Sequence, residues 1–392
     1  MKVLFWGLSV FCLVGAARGG QERGYHLEPL SFQEQGFVGG GPSNQFPRAQ
    51  GTYHGLLQPT NGLAPDQSGD LRIDVSSFGS YSGRMNIGGS TTPLRGHFND
   101  QGRSGIRVYK RVWDDCDCFY TLRLIWVVNL QLIWGTDQIQ GTVEHARLGW
   151  VTELLGYRGY TRTTGPAAQA GRYTLRLPGS SDPAIAPGGD GYAAVRVDSR
   201  GRLSASGQLA DGTAFSRSAV ISTNGWWPFY LSLSNGDGAL IGWLQLAELT
   251  GTELAGNLDW VRPRREDRPF YPDGFSGTVS ASGSRYAAPG SGETSLGWTD
   301  GVIVLSGGNL AAPVMNSITL LPGGGLADQG VAVPNLKFSL KKSTGLFKGK
   351  FVHPGSGLRT AYSGALLQLQ GIGAGYFLGT NQSGLVRLQA AP

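Results

Sequence analysis

The chain is predicted to be all-β, built from tandem antiparallel meander domains that are barrel-like, with two-layer β-sandwiches as the alternative. Three observations predict this. The first is a strand-turn-strand phrase that occurs three times. Leu71, Ile73 and Val75 precede Gly79, Tyr81 and Gly83; Ala193, Val195 and Val197 precede Gly201 and Leu203; Leu336, Phe338 and Leu340 precede Gly345, Phe347 and Gly349. Side chains alternate between faces along a strand, so apolar residues at a period of two mark one buried and one wet face. Each phrase reads as a half-buried hairpin. The second observation is glycine: 63 of 392 residues, with no collagen-like period of three, suit many tight turns. The third is a succession of short strand-like runs separated by polar turns, which can close and so remove exposed edges. An apolar content of 40% and only 15% charged residues belong to a folded protein rather than a disordered one.

Residues 1–17 read as a signal peptide: Lys2 supplies the positive start, Val3 to Val14 the apolar stretch, and Val14-Gly15-Ala16-Ala17 the small residues for cleavage. The stretch is too short for a membrane anchor, which needs about 20 apolar residues. Phe11 before Cys12 is too large for a lipobox. Residues 18–50, rich in Gln, Gly, Pro and Ser, read as a flexible leader.

A first β unit spans 51–160, with strands near residues 53–57, 71–75, 81–87, 93–98, 106–112, 120–127, 130–134 and 142–151. Short turns between them favour sequential antiparallel pairing. A linker over 161–170 leads to a second β unit, 171–290, which opens on Gly171-Arg172-Tyr173 as the first opens on Gly51-Thr52-Tyr53. Gly256-Asn257-Leu258-Asp259 also echoes Gly141-Thr142-Val143-Glu144, which points to duplication. A third β segment, 291–392, either stands alone or shares a core with the second.

Several segments resemble an uncharacterised β-rich repeat family of secreted and cell-surface bacterial proteins, often C-terminal to adhesive or immunoglobulin-like modules. They are Ala170 to Leu175, Gly188 to Tyr192, Leu209 to Thr213, Leu240 to Leu244, Leu305 to Leu310 and Gly373 to Gly384. The resemblance covers nearly all of the chain after Gln50, while the Asp114 to Cys118 stretch departs from it. It implies export and β-architecture, and it transfers no catalytic residue.

Candidate chemistry is sparse. Cys116 and Cys118, two apart on one strand face, could form a local disulfide, stay as thiols, or serve metal or redox chemistry, though no further ligand lies nearby in sequence. The five histidines occur singly without metal-ligand spacing, and Gly79-Ser80-Tyr81-Ser82-Gly83 places tyrosine where a nucleophile elbow needs serine. No catalytic residue, metal or cofactor is expected. The best binding argument is aromatic: Trp226, Trp227 and Tyr230 are the candidate ligand-binding residues, although the favoured reading is that the rings of this unit fill the core, as Trp243 does between Ile241 and Leu244; Trp226 and Trp227, beside Pro228 at a turn, are the pair that would be exposed.

The formal charge of +6 is scattered; Arg262, Arg264, Arg265 and Arg268, and Lys341, Lys342, Lys348 and Lys350, read as a solvated loop and strand edge rather than a nucleic-acid surface. The expected function is therefore an exported, non-enzymatic structural or adhesive protein. It would bind a glycan or a protein surface, with no nucleic-acid partner and no transmembrane anchor in the mature chain. A secreted polysaccharide-acting hydrolase is the alternative. The expected location is periplasmic, cell-surface or extracellular; an outer-membrane barrel is disfavoured by the Ala390-Ala391-Pro392 ending. Gly79, Gly201 and Gly345 are each expected to need positive φ, so that valine there costs about 1 to 3 kcal/mol.

Overall fold

The computed structural model describes residues 24–30, 45–114, 119–161, 164–328, 333 and 335–391. The first sheet contains β1 (Tyr25–Pro29), β2 (Gly51–Pro59), β3 (Gly69–Val75), β4 (Ser80–Ile87), β5 (Ser90–His97), β6 (Arg103–Asp114), β7 (Phe119–Ile133), β8 (Gln138–His145) and β9 (Val151–Arg158). The second contains β10 (Gly171–Leu177), β11 (Gly191–Val197), β12 (Arg202–Gln208), β13 (Ala214–Val220), β14 (Trp226–Leu233), β15 (Gly238–Leu249), β16 (Thr252–Arg262) and β17 (Phe275–Arg285). The third contains β18 (Asp300–Gly307), β19 (Val314–Leu321), β20 (Gly325–Asp328), β21 (Lys337–Lys341), β22 (Leu346–Val352), β23 (Arg359–Leu367), β24 (Ile372–Leu378) and β25 (Ser383–Ala390).

All three are nearly closed antiparallel meander barrels, as the hairpin periodicity predicts, rather than two-layer sandwiches. Each pairs the first strand of its meander with its last: β2 with β9, β10 with β17, β18 with β25. The first two barrels break the ring at the same place, between the fourth and fifth strands of the meander, whereas the third breaks it between the third and fourth. β1 adds to the outer edge of β6.

Alternation explains the cores. Leu71, Ile73 and Val75 face the interior of the first barrel, and Ala193, Val195 and Val197 that of the second. The third phrase differs: Phe338 and Leu340 are only half-buried, because β21 is an edge strand. It also occupies the hairpin between the fourth and fifth strands, not the second and third as in the other two barrels. Phe338 and Leu340 still pack against the cluster that fills the third barrel, in which Leu336 and Phe347 of the phrase join Ile303, Phe351, Phe377 and Leu388.

Three sequence expectations need correction. Tyr25–Pro29 and the short helix Phe46–Ala49 are ordered parts of the leader stretch; the Phe46 ring packs on Gly79 and Trp134, which fixes the helix to the barrel mouth. The runs 120–127 and 130–134 are one strand, β7, because polar Asn129 is simply an outward position within it. The run 142–151 is two strands, β8 and β9, parted by a turn at Gly149 with φ of 70°. In that turn the His145 Nδ1 accepts the backbone N–H groups of Arg147 and Leu148 at 3.3 and 3.2 Å. His353 does the same for Gly355 and Ser356 at 3.2 and 3.3 Å, so two of the five histidines are turn caps.

The barrels are joined by buried contacts. Leu56 of the first meets Tyr230, Ala239 and Ile241 of the second; Tyr192 and Ala210 of the second meet Ala365 and Tyr376 of the third. The outer face of β2 and β3 lies over the seam of the second barrel, where β13 and β14 are the unpaired ends of the sheet.

Candidate ligand site between the first and second barrels

Direct cross-strand partners share a face, so the pairings Tyr157 with His54, His54 with Arg72, and Arg72 with Arg84 set one outward row across β9, β2, β3 and β4. The second barrel's seam covers the middle of this row. His54 and the next-row residue Asp70 are buried there. Val220, on the free edge of β13, donates its N–H to His54 Nδ1 at 3.3 Å, and His54 Nε2 lies 3.1 Å from Asp70 Oδ2. An imidazole that accepts at Nδ1 and donates at Nε2 satisfies both contacts. Asp70 also accepts from Asn86 Nδ2 at 2.7 Å and from an Arg217 guanidinium N–H at 3.3 Å.

Beyond this covered pair the faces diverge, leaving a cavity of about 270 Å³. Arg72 and Arg84 line it from the first barrel, Arg217 and the small Ser216 and Ser218 from β13. Asp70 is the one carboxylate on its wall, and it is already engaged by Arg217. Arg72 and Arg84 stand directly opposite each other with no carboxylate partner among the described residues. Like charges in directly opposed positions repel and destabilise a sheet. The second barrel adds a third guanidinium to that pair. An arrangement of this kind is relieved by an anion, which the planar guanidinium fork binds in a bidentate manner.

Burial works to raise the Asp70 carboxyl, but the hydrogen bond from His54, the Arg217 guanidinium and the hydrogen bond from Asn86 outweigh it and hold Asp70 below the usual aspartate range. A depressed carboxylate binds protons more readily when unfolded, so its contribution is present above the ordinary aspartate pKa of 3.8 and lost as pH falls through the lower folded value. Thermal midpoints measured from pH 5 to about pH 3 should therefore fall more steeply for the parent than for Asp70→Asn. Parallel curves would remove Asp70 as a source of the acid sensitivity.

The candidate aromatic residues do not form an exposed cluster. Trp227 is 1% exposed, points into the second barrel and meets Phe229 edge-on at 5.1 Å. Pro228 lies within strand β14 rather than at a turn, so the period of two sends Trp227 inward. Tyr230 is buried against Leu56 at the barrel junction, and burial pushes its hydroxyl pKa up. Trp226 is half-buried: it stacks on Tyr157 at 6.4 Å and meets Trp243 edge-on at 6.3 Å. This trio lies on the opposite flank of the covered His54 from the arginine cavity. Trp243, expected in the core, is half-buried within it. Cys116 and Cys118 lie outside the described residues.

The expected solvated arginine loop is also only partly so. Arg262 is buried and bonds Asp211 Oδ2 at 2.6 Å, while Arg264 pairs with Glu266 and Arg265 with Asp237 nearer the surface. The cavity arginines were missed because they are single residues 12 or more positions apart along the chain; only strand register brings Arg72 beside Arg84. For Arg72 and Arg84 the available signal was their place at outward positions of the first hairpin; Arg217 gave none, because its register with Ala205 puts it on the inward face of the edge strand β13.

Two other cavities flank the site. One of about 360 Å³ at the mouth of the first barrel is lined by Trp134, Arg48 and the Asp137–Arg158 ion pair. Beside it Tyr53 donates to Ala49 O at 2.9 Å, and burial raises its hydroxyl pKa to about 12. The other, of about 340 Å³, lies over β10 to β13 and contains Arg172 and Arg196. Glycoside hydrolysis needs two carboxyl groups flanking one bond. These cavity walls present at most one carboxylate each, Asp70 or Asp137, and both are tied to arginine. Among the described residues no three His, Cys, Asp or Glu side chains gather as a metal site, and no helix is long and apolar enough to cross a membrane.

No family model matches the chain, and no curated protein matches it. Remote likenesses exist to solved β structures. Transferrin binding protein B from Haemophilus parasuis is 10% identical, with 86% of this chain and 74% of that one covered at a TM-score of 0.23. A putative outer membrane protein from Bacteroides fragilis is 8% identical, with 62% and 98% covered at 0.20. A protein of unknown function from Nostoc punctiforme, of the DUF3598 family, is 9% identical, with 90% and 100% covered at 0.19.

Proposed function

We propose that the chain is an exported, non-enzymatic binding protein whose ligand places a carboxylate, sulfate or phosphate in the cavity between the first and second barrels. The ligand is a glycan or protein surface. The observation that carries this reading is the convergence of Arg72, Arg84 and Arg217 on one cavity with a single, already engaged carboxylate, Asp70. Arg72 and Arg84 hold the anion from one side, Arg217 closes over it from β13, and Ser216, Ser218 and Thr91 offer hydroxyls to the ligand's remaining polar groups. The His54–Asp70–Val220 contacts keep the two walls in register and so preorganise the cavity.

Sulfate is the probe. A bound anion stabilises the folded chain by mass action, so sulfate should raise the thermal midpoint of the parent above that in chloride at equal ionic strength. The general salting effect of sulfate is common to all variants. Arg72→Ser/Arg84→Ser should retain only that common part. An equal sulfate response in parent and double variant overturns the reading.

A further inference from the structure

The cavity over β10 to β13 repeats the chemistry of the first one. Arg172 and Arg196 are direct cross-strand partners, and neither has a carboxylate partner among the described residues. The register continues the row from Arg196 to Ser204 and from Ser204 to Ser218; the neighbouring row runs Thr174, Ala194, Ser206, Ser216. These positions are the outward face of the second barrel, opposite the inward Val195, Leu203 and Ala205. Ser216 lines both cavities, so the two are ends of one trough. Its floor is serine and alanine, and its far wall is Ser343 and Thr344 from the turn that also carries the exposed Lys341 and Lys342. Three strand spacings separate β13 from β10, about 14 Å.

We propose that this trough binds an acidic polysaccharide, one chain running from the Arg72–Arg84–Arg217 cavity across the serine floor to Arg172 and Arg196. The proposal rests on the anion-binding reading of the first cavity and names its ligand class. Two opposed arginine pairs, one at each end, match a ligand that repeats its negative charge along its length. The serine hydroxyls between them match a ligand whose intervening surface is hydroxyl-rich. Single-stranded nucleic acid also repeats its charge, but it is held by aromatic rings on which successive bases stack. The trough floor offers no such series of rings: Tyr173, the aromatic residue on the second cavity's wall, is buried in the barrel core.

The test titrates the mature chain with polygalacturonate, with uncharged dextran and with single-stranded oligo(dT), and measures affinity for each. Polygalacturonate should bind, and added sodium chloride should weaken it because exposed charge pairs are screened. Arg172→Ser/Arg196→Ser and Arg72→Ser/Arg84→Ser should each lower polygalacturonate affinity by about ten-fold or more, as expected for loss of charge-assisted contacts. Only the second variant should also lose the sulfate response, because only the first cavity adds a third guanidinium, Arg217, to its opposed pair. Both should melt no lower than the parent, since each removes an opposed like-charge pair; this separates lost contact from lost fold.

If Arg172→Ser/Arg196→Ser keeps full polygalacturonate affinity, no chain spans the trough and the proposal falls, while the sulfate response still decides the first cavity on its own. Failure of the parent to bind polygalacturonate, or binding of dextran or oligo(dT) at least as tight, overturns it as well.

Discussion

A Gly201→Val variant is expected to melt roughly 10 °C below the parent, given that a loss of 1 kcal/mol lowers the midpoint of a domain this size by about 2 to 4 °C. Two costs add. Gly201 sits at φ of 70° in the β11–β12 turn, where a β-branched residue is strained by about 1 to 3 kcal/mol. A Cβ built there would also lie 2.6 Å from the Tyr160 ring, and overpacking of that kind costs about 1 to 3 kcal/mol more. Tyr160 has little room to withdraw, because its hydroxyl bonds Gln169 at 2.7 Å and the Thr223 carbonyl at 3.2 Å. Arg202→Ala, one residue on and exposed, should stay within about 0.5 kcal/mol of the parent. A Gly201→Val midpoint equal to the parent's would show that the turn can reshape around a side chain. The same construction recurs at Gly79 under Phe46 and at Gly345 under Tyr286, with φ of 84° and 72°.

The second large effect is expected at Arg262. Its side chain and that of Asp211 are 8% and 2% exposed, and the pair ties the end of β16 to the turn between β12 and β13. Burial pushes the Arg262 pKa down while Asp211 pulls it back up, so the guanidinium depends on its partner. Arg262→Met keeps most of the volume but leaves the Asp211 carboxylate buried and unpaired. Breaking a buried pair from one side costs about 3 to 5 kcal/mol, whereas replacing both partners is often close to neutral. Arg262→Met should thus unfold at much lower denaturant than the parent, and Asp211→Asn/Arg262→Met should recover much of the loss. A double variant as unstable as the single one would show that the carboxylate is not the source of the cost.

The fold was legible in the sequence because its rule is local. Alternation of Leu71, Ile73 and Val75 declares which face is buried whatever the rest of the chain does. The same locality explains the errors. Every hairpin of a meander obeys the same rule, so the phrase that turns at Gly345 looked equivalent to its two predecessors although it joins a different pair of strands. Likewise the runs 120–127 and 130–134 read as two strands, although Asn129 between them is an outward residue of one 15-residue strand. The candidate site was not legible, because it depends on register and on how barrels pack. Trp227 and Arg262 carry conspicuous side chains that one strand and one ion pair turn inward. Arg72, Arg84 and Arg217 are unremarkable in sequence and meet only through cross-strand pairing and the packing of two barrels.

The seam of the second barrel gives the order of assembly a physical meaning. Free strand edges such as those of β13 and β14 template pairing with other chains unless something shields them. Here the shield is the outer face of β2 and β3, and it even supplies an imidazole to the stranded Val220 amide. Domains fold N-terminal first as a chain emerges, so this shield is complete before the edges it protects exist. The first barrel is in this sense an intramolecular chaperone that never departs, and the arginine cavity is the gap left where its surface curves away from the domain it escorts.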